Sequence, residues 1–178
     1  MIQTERWVPE QTVEFGMIEP LSKTRAAVDF ISRGPSLNGY VPQVGDEFKK
    51  LTNGYSVRTN PKAFIEQCFF SVHADSATVP PNSSAPPCQV KDIGPPGGIQ
   101  TACIERSTYP RCGTVVNVTP FQPEWQGFLT LEMLDAVPLS AKVCANGGQR
   151  QVVFIRPGRP CETSYADRKG KHQRIKEL

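Results

Sequence analysis

The sequence predicts a single, mainly β domain whose short strands form a sandwich or a barrel. Seventeen prolines and fourteen glycines divide the 178-residue chain into short segments and oppose long helices. Between these breaks, runs rich in β-branched and aromatic residues recur at regular spacing, which is typical of sandwiches and barrels. The length allows one sizeable core, and nothing indicates a second domain. We therefore expect one domain over residues 1–178.

The same patterns place the individual elements. One helix is expected near the start, at 8–14, and a short helical turn at 107–112. The predicted strands, taken in order, are 47–51, 56–58, 68–72, 76–79, 99–105, 114–118, 128–133, 141–145 and 151–155. Two stretches dense in proline and glycine, 80–87 and 94–98, are predicted to be surface turns within the domain.

The charge of the chain is mildly positive and is concentrated at one end. The formal net charge is +3, and Lys and Arg cluster in a basic C-terminal tail over about 164–178. That tail could be a solvated terminus, a nucleic-acid contact or a flap that closes over a polyphosphate. No recognised nucleic-acid-binding motif accompanies it, so no nucleic-acid partner is expected. The longest apolar runs are too short for a membrane span, and MIQTERWVPEQT lacks the apolar stretch of a signal peptide, so we expect a cytoplasmic protein with no membrane partner.

The stretch from Arg106 to Glu132 carries the candidate chemistry. Arg106, Ser107, Thr108 and Arg111 offer cationic and hydroxyl donors of the types that bind phosphate. Glu132 stands in a strand that is otherwise largely apolar. Carboxylates are rarely buried unless they are paired or functional, so Glu132 is either a proton-transfer group favoured by burial, a member of a structural ion pair, or a residue on a solvated face.

Three segments of the chain resemble the motifs of a known family. STYPRCG is similar to S-T-Y-A-R-C-G, VVNVTPFQPEWQGFLTLE to V-N-V-T-P-x-x-P-E-W-x-G-x-x-T-L-E, and CETSYADRKGKHQ to C-E-T-S-Y-A-D-R-x-G-K-Y-Q. All three are motifs of the dCTP deaminase family, which the chain therefore resembles. Weaker similarity extends over nearly the whole chain. The resemblance implies a distorted β-barrel or jelly-roll of the dUTPase-like type with few short helices. It also implies a homotrimer with active sites built across subunit boundaries.

The resemblance further implies hydrolytic deamination of dCTP to dUTP and ammonia. Glu132 would activate the water, with Arg111 and Ser107 as further catalytic residues. The implied substrate contacts are Arg106, Ser107, Thr108, Val118, Thr130, Tyr165, Lys169 and Lys171. No tightly bound cofactor is expected, and Mg²⁺ would accompany the triphosphate. In addition to dCTP, dTTP or dUTP could bind as inhibitor or product.

The cysteines and histidines do not form the zinc set of the common nucleobase deaminases. Those enzymes use an H-x-E motif and a P-C-x-x-C motif. The histidines here are His73 and His172, and no two cysteines have C-x-x-C spacing. We therefore expect no metal ligand in the protein, and thiols that are reduced and mostly packed.

Several residues depart from the family pattern and leave alternatives open. Val41 and Gln43 replace the usual Asp and Arg, Glu105 stands where Gly is usual, Pro110 replaces Ala, and Ile175 replaces a Gln of the tail. One alternative is a dUTPase or a bifunctional deaminase–dUTPase, although a G-x-I-D turn is missing. Another is a catalytically inactive nucleotide-binding homologue.

Overall fold

The computed structural model describes residues 1–22, 31–51, 69–117, 120–165 and 167–168. Within these residues the chain forms one α-helix, one 3-10 turn at Pro110–Cys112 and short strands. The helix is α1 (Trp7–Phe15), and the strands are β1 (Ile18–Glu19), β2 (Gly34–Ser36), β3 (Gly39–Val41), β4 (Val44–Leu51), β5 (Phe69–His73), β6 (Ser76–Val79), β7 (Ser84–Ile93), β8 (Gln100–Glu105), β9 (Thr114–Asn117), β10 (Gly127–Asp135), β11 (Ala141–Cys144) and β12 (Arg150–Ile155).

The described strands form three sheets around one core. The largest has the order β5-β4-β7-β10-β9, with β1 paired to β7. A four-stranded sheet has the order β2-β3-β12-β8, and β11 pairs with β6. Buried side chains of all three sheets meet in one hydrophobic cluster that includes Tyr40, Val79, Leu129, Val143 and Phe154. The mainly β class is confirmed, but none of these sheets closes into a barrel over the described strands.

Most predicted elements are present with slightly different ends. The helix predicted at 8–14 is α1, and the helical turn predicted at 107–112 contains the 3-10 turn. The strands predicted at 47–51, 76–79, 99–105, 114–118, 128–133, 141–145 and 151–155 correspond to β4, β6 and β8–β12, and β5 matches the prediction at 68–72 from residue 69 onward. The strand predicted at 56–58 lies outside the described residues. The short strands β1, β2 and β3 and the ten-residue strand β7 were not predicted.

The prediction of a surface turn at 80–87 is wrong for its second half, which is the start of β7. This strand lies between β4 and β10 in the middle of the largest sheet. Leu131 pairs with Cys88 and Met133 pairs with Ala85, so Glu132 alone faces the two residues Pro86 and Pro87. Two residues opposite one constitute a β-bulge, and a bulge accommodates proline because the extra residue does not need to donate a ladder hydrogen bond.

Candidate active site

Glu132 lies on the outer face of β10. Along β10, Leu129, Leu131 and Met133 point into the core, while Thr130 and Glu132 point outward. The carboxylate is exposed in the single chain. The single chain therefore lacks the burial that we expected to favour proton transfer. On one side Glu132 pairs through the backbone with Asn117 of β9, and on the other it faces the bulge at 86–87. A bulge increases the local twist of the two paired strands, so the carboxylate projects from a point where the sheet is locally twisted.

The loop between β8 and β9, residues 106–113, presents the side chains that are predicted to donate hydrogen bonds to phosphate. It is called the phosphate-donor loop. Tyr109 is buried and anchors the loop in the core, and its carbonyl accepts the N–H groups of Cys112 and Thr114 at 2.9 and 3.3 Å. Pro110 begins the 3-10 turn, where a missing N–H costs no hydrogen bond. Around this anchor, the side chains of Ser107, Thr108 and Arg111 are exposed.

The exposed groups of the loop and of β10 have no partner within the described part of the chain. The side chains of Ser107, Thr108, Arg111 and Glu132 form neither a hydrogen bond nor an ion pair there. Glu132 also lies three residues before Asp135, whose backbone pairs with Thr114 at the loop end. At about 3.3 Å per residue, that separation is roughly 10 Å. The single chain therefore presents both sets of groups but does not bring them into contact.

Arg106 is half-buried, and its guanidinium donates hydrogen bonds within the chain. Its Nη1 donates to the carbonyl of Ser32 at 2.6 Å and its Nη2 donates to the Ser32 hydroxyl at 3.0 Å. Ser32 in turn packs against Gly148, where a side chain would collide with its carbonyl. Arg106 thus holds the segment around Ser32, and a phosphate contact would have to share this guanidinium.

Glu105 links the four-stranded sheet to the largest sheet, a contact that the sequence did not predict. One carboxylate oxygen, Oε1, accepts the N–H of Val116 at 2.6 Å and faces Nη1 of Arg150 at 3.0 Å. The side chain of Arg150 is only 3% exposed. Glu105 and Arg150 are register partners on β8 and β12, while Val116 belongs to β9 of the other sheet. The negative charge that replaces the usual glycine is therefore paired.

The remaining candidate contacts are placed in different parts of the chain. Thr130 is half-buried on the same face of β10 as Glu132. The backbone N–H of Tyr165 donates to the carbonyl of Pro123 at 3.2 Å, and its side chain packs against the core cluster. Val118, Lys169 and Lys171 lie outside the described residues.

The turn that follows Tyr165 is held by a capping interaction. The Asp167 carboxylate accepts the backbone N–H and the hydroxyl of Ser164, each at 2.9 Å. These two hydrogen bonds from Ser164 lower the pKa of Asp167. These contacts favour the ionised form of the carboxyl group and hold the turn that carries Tyr165.

The segment 39–43, in which Val41 and Gln43 depart from the family pattern, makes a structural contact. Val41 is buried in β3. Gln43 donates through Nε2 to the side-chain oxygen of Asn146, and Arg33 donates to the Asn146 carbonyl at 2.8 Å. Hydrogen bonds to Asn146 therefore hold this segment, with no Asp or Arg at positions 41 and 43.

A pocket of about 460 Å³ lies beside the phosphate-donor loop. Thr108, Tyr109 and Cys112 line one side and residues of the 139–147 segment line the other. Neither Glu132 nor Thr130 lines it, so it is separate from the outer face of β10. Among the described residues, no group of three or more His, Cys, Asp or Glu side chains could hold a metal ion, and no helix is long and apolar enough to cross a membrane.

The four cysteines whose side chains the structure describes are free thiols that differ in exposure. Cys103 and Cys144 are half-buried, whereas Cys112 and Cys161 are exposed, so the expectation of mostly packed thiols fails for the latter two. Burial raises the pKa of Cys103 to about 12, although the nearby Arg150 guanidinium opposes that rise.

Together, the fold and the site define a mainly β protein with a loop of exposed hydroxyl and cationic side chains and a neighbouring strand that presents a carboxylate. No family model matches the chain. It is 48% identical over 172 residues to a dCTP deaminase of Acidobacterium capsulatum, covering 97% of this chain and 93% of that protein. It is 43% identical to dCTP deaminases of Chlamydia caviae and Nitrosomonas eutropha, covering 97% of this chain and 94% of each. The chain belongs to the dCTP deaminase family.

A solved structure supports the fold independently. The 2'-deoxycytidine 5'-triphosphate deaminase from Agrobacterium tumefaciens superposes with a TM-score of 0.64 at 12% sequence identity. The alignment covers 86% of this chain, which spans about half (47%) of that longer chain. At this identity the likeness shows a shared fold, consistent with the predicted dUTPase-like type.

Proposed function

We propose that this chain hydrolyses dCTP to dUTP and ammonia. The observation that carries the proposal is a conjunction: Ser107, Arg111 and Glu132 remain exposed and unpaired within the described residues, in a chain 48% identical to a dCTP deaminase. A carboxylate with a purely structural role would be expected to have a partner within the chain, and Glu132 has none among the described residues. The product would supply dUMP for thymidylate synthesis, and we propose a cytoplasmic location.

In the proposed mechanism, Glu132 moves one proton in each direction. Its carboxylate accepts a proton from water as the water oxygen bonds to C4 of cytosine, and the protonated carboxyl then delivers a proton to the ring nitrogen. The proton of the new C4 hydroxyl group then passes to the amino group, the C4–N bond breaks as the C4 carbonyl forms, and ammonia leaves. Arg111 would stabilise the negative charge that develops on the attacking water or the ring, and Ser107 would orient the water.

The triphosphate would bind the loop between β8 and β9. Arg106, Ser107 and Thr108 provide cationic and hydroxyl donors, and charge-assisted hydrogen bonds of this type are the strongest available to a phosphate. Backbone groups near Val118 and Thr130 would bind the pyrimidine edge. Tyr165, Lys169 and Lys171 would close over sugar and phosphates. Mg²⁺ would enter as part of the substrate complex, and dTTP or dUTP would compete for the same contacts.

We propose that the active site is completed by a second copy of the chain in a homotrimer. Glu132 and the phosphate-donor loop do not touch within one chain, and the carboxylate lies on an open face. Beside it, Val115 and Leu134 are register partners on β9 and β10 and are 43% and 42% exposed. A neighbouring copy on this face would cover these apolar side chains and exclude water from Glu132, which supplies the burial that the single chain lacks.

The decisive experiment compares Glu132→Gln with wild type in binding and in turnover. The amide keeps the shape of the side chain but cannot accept the proton, so turnover should fall by about 10²–10⁴-fold. Calorimetric affinity for dCTP with Mg²⁺ should be retained, because the phosphate donors are elsewhere. Glu14→Gln on α1 removes an equally exposed carboxylate and should leave turnover unchanged. A Glu132→Gln protein within tenfold of wild type would remove Glu132 from the mechanism.

Product analysis separates the alternatives. Chromatography of a wild-type reaction should show dUTP with no dUMP. Formation of dUMP and pyrophosphate would instead identify a bifunctional deaminase–dUTPase. Tight binding of dCTP without any turnover would identify an inactive nucleotide-binding homologue.

A further inference from the structure

The carboxylate of Glu105 lies one residue before the predicted phosphate donors. It directly precedes Arg106 and Ser107, and its side chain is 33% exposed. An unpaired negative charge at this position would repel a polyphosphate bound to the loop. In the structure the charge faces the guanidinium of Arg150 at 3.0 Å.

The two partners are built into the fold in different ways. Arg150 is almost fully buried, and burying a guanidinium without an opposite charge is costly. Glu105 is additionally fixed by the N–H of Val116, so its carboxylate cannot rotate towards the loop without losing that bond. Arg150 lies beside the loop but is too buried to reach a ligand in solvent.

We propose that Arg150 is a positioning residue that masks the charge of Glu105 and thereby permits polyphosphate binding at the loop; this rests on the proposed function. The masking is separate from the fold-stabilising effect of the pair. Loss of Arg150 frees a negative charge beside the ligand, whereas loss of the Glu105 charge frees none. Arg150→Met should therefore weaken ligand affinity whereas Glu105→Gln should not, a difference that a purely structural ion pair would not produce.

The magnitude follows from Coulomb's law. For three phosphate charges at about 9 Å from one unmasked carboxylate in water, the repulsion lowers affinity by roughly tenfold. The interaction passes through solvent, so added salt should reduce it. Deoxycytidine carries no phosphate and should be unaffected.

The test uses four full-length proteins: wild type, Arg150→Met, Glu105→Gln and the double variant. Arg150→Met should weaken calorimetric affinity for dCTP and for inorganic tripolyphosphate by roughly tenfold at low salt, and by clearly less at 0.5 M salt. It should raise KM for dCTP while kcat changes little. Glu105→Gln retains an acceptor for Val116 and should lose no affinity for either ligand. The double variant should recover wild-type affinity, and replacement of a buried ion pair by neutral groups is often tolerated by the fold.

The outcomes discriminate clearly. Equal weakening in both single variants, an unrescued double variant, or equal loss of deoxycytidine and dCTP affinity would overturn the masking role. If either single variant does not fold, the double variant, which leaves no unpaired charge, remains decisive, since a loss of polyphosphate affinity in it contradicts the proposal. Tripolyphosphate binding does not depend on deamination. A wild type that binds both probes without turnover thus refutes the proposed activity alone, and one that binds neither refutes the masking as well.

Discussion

Substitution of Gly113 by alanine tests the packing behind the phosphate-donor loop. Gly113 ends the 3-10 turn with φ +81, a conformation that costs an L-residue about 1–2 kcal/mol. A Cβ at this position would also lie 2.9 Å from Cβ of Val137 and closer still to both of its methyl groups. Overpacking of this kind adds about 1–3 kcal/mol. We expect Gly113→Ala to lower the free energy of unfolding by roughly 2–4 kcal/mol, after a small gain from the stiffer unfolded chain.

The chain provides a matched control for the strain alone. Gly98 has φ +76, and a Cβ there would meet no atom within 4 Å. Gly98→Ala should therefore cost only about 1 kcal/mol. Urea denaturation at one fixed protein concentration measures both variants, since self-association would make the midpoint depend on concentration.

A second-site substitution then isolates the clash. Removing the methyl groups in Gly113→Ala/Val137→Ala should recover at least about 1 kcal/mol of the loss, less the small cost that Val137→Ala has by itself. Equal unfolding free energies for Gly113→Ala and Gly98→Ala, or no recovery in the double variant, would refute the packing argument.

Three further outcomes are expected. Arg106→Ala removes a charge-assisted contact worth about 1.5–3 kcal/mol and should weaken the affinity for dCTP about ten- to a hundredfold without changing the affinity for deoxycytidine. If both affinities fall equally, the role of Arg106 is only to hold Ser32. Dialysis against a zinc chelator followed by restoration of magnesium should leave turnover intact, and a loss that only zinc reverses would contradict the metal-free mechanism. Iodoacetamide at pH 8.5 should label Cys112 and Cys161 long before Cys103, because Cys103 ionises only as the pH approaches its raised pKa of about 12. Peptide mass spectrometry measures the order of labelling, and early labelling of Cys103 would contradict its burial.

The sequence predicted the strands whose patterns are local. Residues 114–117 and 127–135 carry β-branched or apolar runs between turn residues, and both form strands as expected. Strand β7 was not predicted at all. Its first half was predicted to be a turn because Pro86 and Pro87 normally exclude a central strand, and only the register with β10 shows that they occupy a bulge. A bulge is a relation between two strands and leaves no signal in either one.

The environment of Glu132 could not be predicted for a different reason. Phe128 and Leu134 are apolar but lie on the outer face of β10, so the strand is apolar on both faces and its alternation is hidden. The partner of Glu105 was equally inaccessible, because Arg150 is 45 positions away and becomes a neighbour only through the pairing of β8 with β12. The roles of the candidate site residues remain predictions.

The bulge opposite Glu132 also fixes how insertions and deletions can be accommodated. Loss of one residue from 86–87 would remove this bulge and leave Ala85 opposite Met133 and Cys88 opposite Leu131, so the residues of β7 on both sides would keep their faces. Loss of one residue outside the two register irregularities, at 86–87 and 90–91, would instead slip the register by one. Core and solvent positions would exchange along the middle of the largest sheet. A shortened β7 is thus tolerated only at a bulge, and elsewhere in the strand the register with β10 fixes its length.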